Sequence, residues 1–227
     1  MHKAGILEEV RERVTRRRGG VAVFDRIDPH RTAHVVIDLQ NGFMGEGQLL
    51  ETPMARAIVP NVNCISAGLR AAGGIVVYLQ HTADAEAART WSVYFDHVCA
   101  DPAGMIEAFT PGHHGHALWP KLDVAKEDLV VIKRRFGAFV PGSSDLHARL
   151  QERGIDTLII SGTLSQVCCE STARDAMMMN YKVFFISDAN ATLTDAEHGN
   201  TLSAMAHTFC DVRDTQSVLG LIAAAHT

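Results

Sequence analysis

Three residues of different chemical character stand at the ends of three separate apolar runs. VVID ends in Asp38, VVIK ends in Lys133, and the run at 157–161 leads through SGTLSQVCCESTARDA to Cys168. A thiol with a pKa of about 8.5 becomes a good nucleophile when a helix N-terminus and a cation lower that pKa and a carboxylate takes its proton. Lys133, Asp38 and a helix starting near Cys168 are expected to supply all three. Gly162 permits a tight strand-to-helix turn, and the backbone N–H groups of Leu164 and Cys168 are expected to hold a developing oxyanion. The set reads as an acyl-transfer site. Asp38 and Lys133 alone read equally well as a structural ion pair; it is the recurrence of all three groups at strand ends that favours chemistry. Cysteine usually just packs, so Cys64, Cys99 and Cys210 are assigned to the core. Cys169 points about 100° away from Cys168 on a helix, so only one of the two can face the strand ends.

The elements that must position these groups follow from the apolar pattern. Short β-branched runs at 33–38, 74–80, 129–133, 157–161, 182–187 and 208–212 predict six buried strands. Helical spacing at 56–72, 144–153, 167–179, 194–206 and 214–225 alternates with them. Continuous apolar strands between helices predict an α/β fold of three layers, Rossmann-like, with a six-stranded, mostly parallel sheet covered on both faces. Ligands of such sheets bind beyond the carboxyl ends of the strands, which is where the three groups lie. Residues 1–30 read as an N-terminal arm and 31–227 as one domain. The irregular stretch 81–128 is expected to cover or line the site, and Met177–Met179 are read as packing.

Hydrophobic residues at 47% and charged residues at 21% allow a sizeable core. A net charge of −5 gives no footprint for nucleic acid, and the basic run Arg11–Arg18 is interleaved with Glu12 as a solvated helix face. No run reaches the roughly 18 apolar residues that cross a bilayer, and the start of the chain lacks a secretory signal. No membrane partner is expected, and the five cysteines fit free thiols in the cytoplasm.

VVIDLQNGF, IKRRFGAF and GTLSQVCCESTARDA resemble, in order, the three signature segments of the isochorismatase-like cysteine hydrolases, and DANAT at 188–192 is also similar. The likeness spans residues 30–225. It implies a triad of Asp38, Lys133 and Cys168, and a cis peptide at Thr163–Leu164 that aims an oxyanion-hole N–H inward. Members include nicotinamidases, N-carbamoylsarcosine amidases and ureidoacrylate amidohydrolases, commonly dimers or tetramers, so a homodimer or homotetramer is expected, with the arm packed on a neighbouring subunit. Ser165, Gln166, Val167 and Cys168 replace the frequent T-N-V-C, and Arg135, Phe136, Gly137, Ala138 and Phe139 replace R-Y-S-A-F. These departures touch the pocket rather than the triad. True isochorismatases lack the cysteine, so Cys168 favours amide or ureide hydrolysis over vinyl-ether hydrolysis.

The pocket is expected near Gln40, Phe43, Trp91, Tyr94, Phe95 and Phe139, with Gln40 sharing the direction of Asp38 if the chain stays extended. Four neighbouring residues, HHGH at 113–116, seldom converge on zinc by themselves, and LQHTADAE lacks the Asp-x-His ligands of the nicotinamidases. No metal and no cofactor are therefore expected; a metal, if required, would recruit that cluster with His81 or His97. The leading expectation is an amidohydrolase that forms a thioester on Cys168 from a small amide, carbamoyl or ureido substrate. An isochorismatase-type ether hydrolase, for which the cysteine is incidental, and a non-catalytic binding protein of the same fold are the other readings.

Overall fold

A computed structural model describes residues 1–225 of the chain, so the last two residues of the expected domain lie outside the described residues. All six apolar runs form strands: β1 (Thr32–Ile37), β2 (Ile75–His81), β3 (Leu129–Lys133), β4 (Thr157–Thr163), β5 (Lys182–Ala191) and β6 (Asp211–Arg213). They pair in parallel throughout, in the order β3-β2-β1-β4-β5-β6. The helices are α1 (Glu8–Arg18), α2 (Asn41–Met44), α3 (Pro53–Ala71), α4 (Ala85–Thr90), α5 (Pro102–Phe109), α6 (Leu146–Glu152), α7 (Glu170–Met178), α8 (Asp195–Ala204) and α9 (Thr215–Ala224).

Alternation along β1 assigns the two faces of the sheet. Ala33, Val35 and Ile37 pack with Leu146 and Leu150 of α6 and Ala173 and Ala176 of α7. Val36, on the opposite face, packs with Ile58, Val62 and Ile65 of α3 and Val218 and Ile222 of α9. Burial of each such side chain contributes roughly 1.5–3 kcal/mol, which is why a strand covered on both sides is apolar at nearly every position. α3 begins with Pro53 at a position where a missing N–H costs nothing, and its buried Ile58, Val62, Ile65 and Leu69 recur at helical spacing.

The chain runs outward from β1 to β3 and then returns to β4 on the other side of β1, so strand order reverses between β1 and β4. A crevice opens at their carboxyl ends. Gly162 sets how closely the two strands approach there. Its φ is +131°, and a Cβ at this position would lie 2.1 Å from the carbonyl oxygen of Ile37. The pairing of β4 with β5 shifts register between Ile160 and Gly162, so the glycine bends β4 over the end of β1.

Two expectations are corrected. Residues 81–128, read as irregular, contain short helical pieces: α4, α5, a π-type turn at Tyr94–Val98 and a 3-10 turn at His114–His116. These pieces are short and held by Asp caps, Asp84 on Ala87 N–H at 2.8 Å and Asp101 on Gly104 N–H at 2.9 Å, so they carry little apolar periodicity. The arm also bonds its own chain. Ser203 Oγ accepts from Leu7 N–H, Asp211 accepts from Val23 and Phe24 N–H, and Arg18 donates to the Ala206 carbonyl. Cys64 is exposed on the outer side of α3 and Cys99 is only partly buried, leaving Cys210 as the core cysteine of the three. At the end of α7, Met177, Met178 and Met179 are 37%, 67% and 38% exposed in the single chain, while Ala173 and Ala176 occupy the core face.

Candidate active site

Asp38 is the first residue beyond β1. Its φ of +55° is left-handed, a conformation that Asp tolerates better than most side chains. Lys133 closes β3, two strand spacings away, or about 10 Å. Its stem spans β2, so that Nζ lies 2.9 Å from Asp38 Oδ2 with both side chains wholly inaccessible to solvent. Nζ also donates to the Arg135 carbonyl at 2.9 Å. Cys168 arrives from the other side of the crevice, in a π-type turn at Ser165–Cys169 that runs into α7. The thiol is 4% exposed and close enough to Asp38 and Lys133 to feel the charge of both. The contacts around the carboxylate are close but poorly aligned, since neither oxygen has a well-directed hydrogen-bond donor. The Thr163–Leu164 peptide is cis, as the resemblance implies.

Burial dominates the electrostatics. It raises Asp38 above the usual carboxylate range, against the opposing pull of the Lys133 cation and, more weakly, of the polar groups of Cys168 and the His81 backbone nearby. Burial also drags on Lys133, but the negative charge available at Asp38 and Cys168 outweighs it and holds the ammonium protonated. The Cys168 thiol is pushed far up, first by burial and then by Asp38, with Lys133 recovering only part. A lowered thiol pKa, expected from sequence, is therefore corrected: the resting group is the thiol, with a base of raised pKa at hand to take its proton.

The candidate pocket residues separate. Trp91 and Tyr94 stack at 4.3 Å and, with Phe95, form one aromatic cluster; Phe136, absent from the expected set, meets Trp91 at 4.8 Å and Tyr94 at 5.3 Å. Burial raises the Tyr94 hydroxyl, and the nearby Cys99 and Cys168 raise it further. Arg135 lies over the Trp91 ring at 5.2 Å. Phe43 and Phe95 are buried beneath this cluster with Phe109 and Met105. Phe139 is not with them. Its ring packs on Tyr181 and His147, on the core side of α6, because the chain turns through Gly137 and Ala138.

Gln40 is also corrected. The left-handed turn at Asp38 ends the extended run, and the Gln40 amide is spent on the His81 N–H at 2.7 Å and the carbonyls of His81 and His116 at 3.1 and 2.9 Å. It straps β1 to β2. His81, considered only as a metal ligand, pairs in register with Lys133, is 3% exposed, and has an Nδ1 without a hydrogen-bond partner. Its place one residue past the expected second strand is the signal that marks it. His116 bonds Thr82 Oγ1 at 2.9 Å while His113 and His114 face outward. Among the described residues no three His, Cys, Asp or Glu side chains are grouped to hold a metal ion.

The carboxylate, ammonium and thiol thus meet at one end of the sheet, and comparison with known proteins finds the same fold. A solved cysteine hydrolase from Pseudomonas syringae superposes with a TM-score of 0.79 at 28% identity, covering 90% of this chain and 98% of that one. The chain is 31% identical to a probable inactive nicotinamidase of Arabidopsis thaliana, over 74% of its length and 84% of the relative's. It is 27% identical to a ureidoacrylate amidohydrolase of Klebsiella pneumoniae, over 71% and 73%. The isochorismatase domain matches residues 32–217, from the first residue of β1 into the first turn of α9, and the chain belongs to the isochorismatase family of hydrolases.

Proposed function

We propose that this chain is a cysteine-dependent amidohydrolase that cleaves a C–N bond of a small amide, carbamoyl or ureido compound. The observation that carries the reading is the wholly buried Lys133–Asp38 pair, 2.9 Å apart, with the Cys168 thiol against both. A buried pair of this kind is expensive to keep for stability alone, because desolvation offsets most of its attraction.

The Cys168 sulfur attacks the substrate carbonyl while its proton passes to Asp38. The N–H groups of Leu164 and Cys168 receive the oxyanion, and Lys133 balances the charge that builds on sulfur and oxygen. Collapse of the tetrahedral adduct breaks the C–N bond, and Asp38 returns the proton to the departing ammonia or amine. Water, deprotonated by Asp38, then cleaves the thioester and regenerates the thiol. Trp91, Tyr94 and Phe136 wall the entrance over the sulfur, with Phe43 and Phe95 supporting them. Nothing in the cycle requires a metal or cofactor, and the free thiols suit a cytoplasmic setting.

An ammonia-release screen over small amides, ureides and carbamoyl amino acids tests the reading. At least one compound should be turned over, and Cys168→Ala should lower that rate by about three orders of magnitude or more while Cys169→Ser keeps most of it. Turnover that survives loss of Cys168 points instead to ether-type hydrolysis by the rest of the site.

A further inference from the structure

The back of the nucleophile turn is closed by histidines that the cycle above does not use. Ser165, the first residue of the turn, is wholly buried, and its Oγ lies 2.9 Å from His198 Nδ1. His198 is equally buried in α8, and its Nε2 lies 2.9 Å from the Ser187 carbonyl. A carbonyl only accepts, so Nε2 carries the hydrogen and Nδ1 accepts from the Ser165 hydroxyl. Behind His198 stands His2 of the arm. Its ring stacks on that of His198 at 4.4 Å and 13°, its Nδ1 bonds Asp195 Oδ1 at 2.7 Å, and its Nε2 accepts from Thr192 N–H at 3.0 Å. The stack is enclosed, the His2 side chain being 2% exposed. The arm continues across α8, where a Cβ on Gly199 would come within 3.2 Å of the Gly5 carbonyl, and is fastened by Leu7 N–H on Ser203 Oγ at 2.9 Å.

We propose that His198, backed by His2 of the N-terminal arm, is a positioning residue: it holds Ser165 and thereby fixes the turn that presents Cys168 to Asp38 and Lys133. The arm is then part of the catalytic framework of its own chain. Ser165 precedes Cys168 by three residues within a single turn, so slack at its hydroxyl moves the sulfur directly. The inference rests on Cys168 as nucleophile, and thiol labelling tests it without a substrate.

The variants are Ser165→Ala, Ser165→Thr, His2→Ala and the double variant Ser165→Ala with His2→Ala. Loss of one buried hydrogen bond should lower kcat about tenfold with KM within about twofold in Ser165→Ala. Ser165→Thr, which keeps the hydroxyl, should recover most of it. His2→Ala should lower kcat about threefold, and the double variant should be no worse than Ser165→Ala, because both act through one contact. Iodoacetamide labelling of Cys168, followed by peptide mass, should accelerate about threefold or more in Ser165→Ala while the buried Cys210 keeps its rate. Additive losses, a wild-type labelling rate at Cys168, or equal acceleration at Cys210 would each overturn the proposal. If the labelling cycle is obeyed but no C–N substrate is cleaved, the amidohydrolase reading fails and the positioning role stands.

Discussion

Cys168, the proposed nucleophile, has a strongly raised pKa. Burial removes solvent from the thiolate by more than the attraction of the Lys133 ammonium restores, and the nearby carboxylate adds repulsion. In the proposed cycle the cost of ionising sulfur is met during the reaction, when the proton moves to Asp38 and the charge moves on to the substrate oxygen. A thiol of this kind is quiet towards simple alkylating agents. In the free enzyme at neutral pH, iodoacetamide should label the exposed Cys64 faster than Cys168. A peptide-mass time course in which Cys168 reacts first would show that Lys133, not burial, governs the site.

The junction of β1 and β4 is the element-scale counterpart of the triad, because it sets the gap between Asp38 and the turn carrying Cys168. Gly162 leaves no space for a methyl group against the Ile37 backbone and also has a φ of +131°. Neither conflict can relax through a flexible side chain. Gly162→Ala should cost about 3 kcal/mol or more, lowering the melting temperature of a chain this size by roughly 6–12 °C. The same variant should lose hydrolysis beyond what its folded fraction explains, since β1 and β4 must part. Wild-type melting in calorimetry would mean that the strands are not in this contact.

Across the whole molecule, neutral buried histidines make stability depend on pH. Burial lowers His34 to about 3, helped by the charge of Arg70, where its ring bridges Ser66 and Ser161; burial lowers His198 to about 4, helped by His2. Both folded-state values lie below the unfolded value of about 6.5. Their contribution is therefore fully present above pH ~6.5 and is lost as pH falls through 4 and 3, since the unfolded chain binds the protons first. Each should cost about 2 kcal/mol by pH 5. Thermal melts should fall by several degrees between pH 7 and pH 5, and His34→Gln should flatten that slope. A flat profile would contradict neutral, buried rings. The arm belongs to the same scale, because Asp211 is wholly buried and receives Val23 and Phe24 N–H besides Arg213.

What the amino-acid order determined by itself was local and periodic. Six apolar runs, the caps and spacings of the main helices, and three reactive residues at strand ends follow from patterns a few residues long, and a strand buried on both faces leaves little freedom in how it reads. Tertiary structure decided everything that depends on distance in space. Burial, which no short window reports, turned an expected thiolate into a protonated thiol. The left-handed turn at Asp38 sent Gln40 to the His81 and His116 backbones, the turn through Gly137 sent Phe139 to the core side of α6, and Phe136 took a place among the pocket aromatics. The contact of His2 with His198 joins positions 196 residues apart, and only folding brings such groups together.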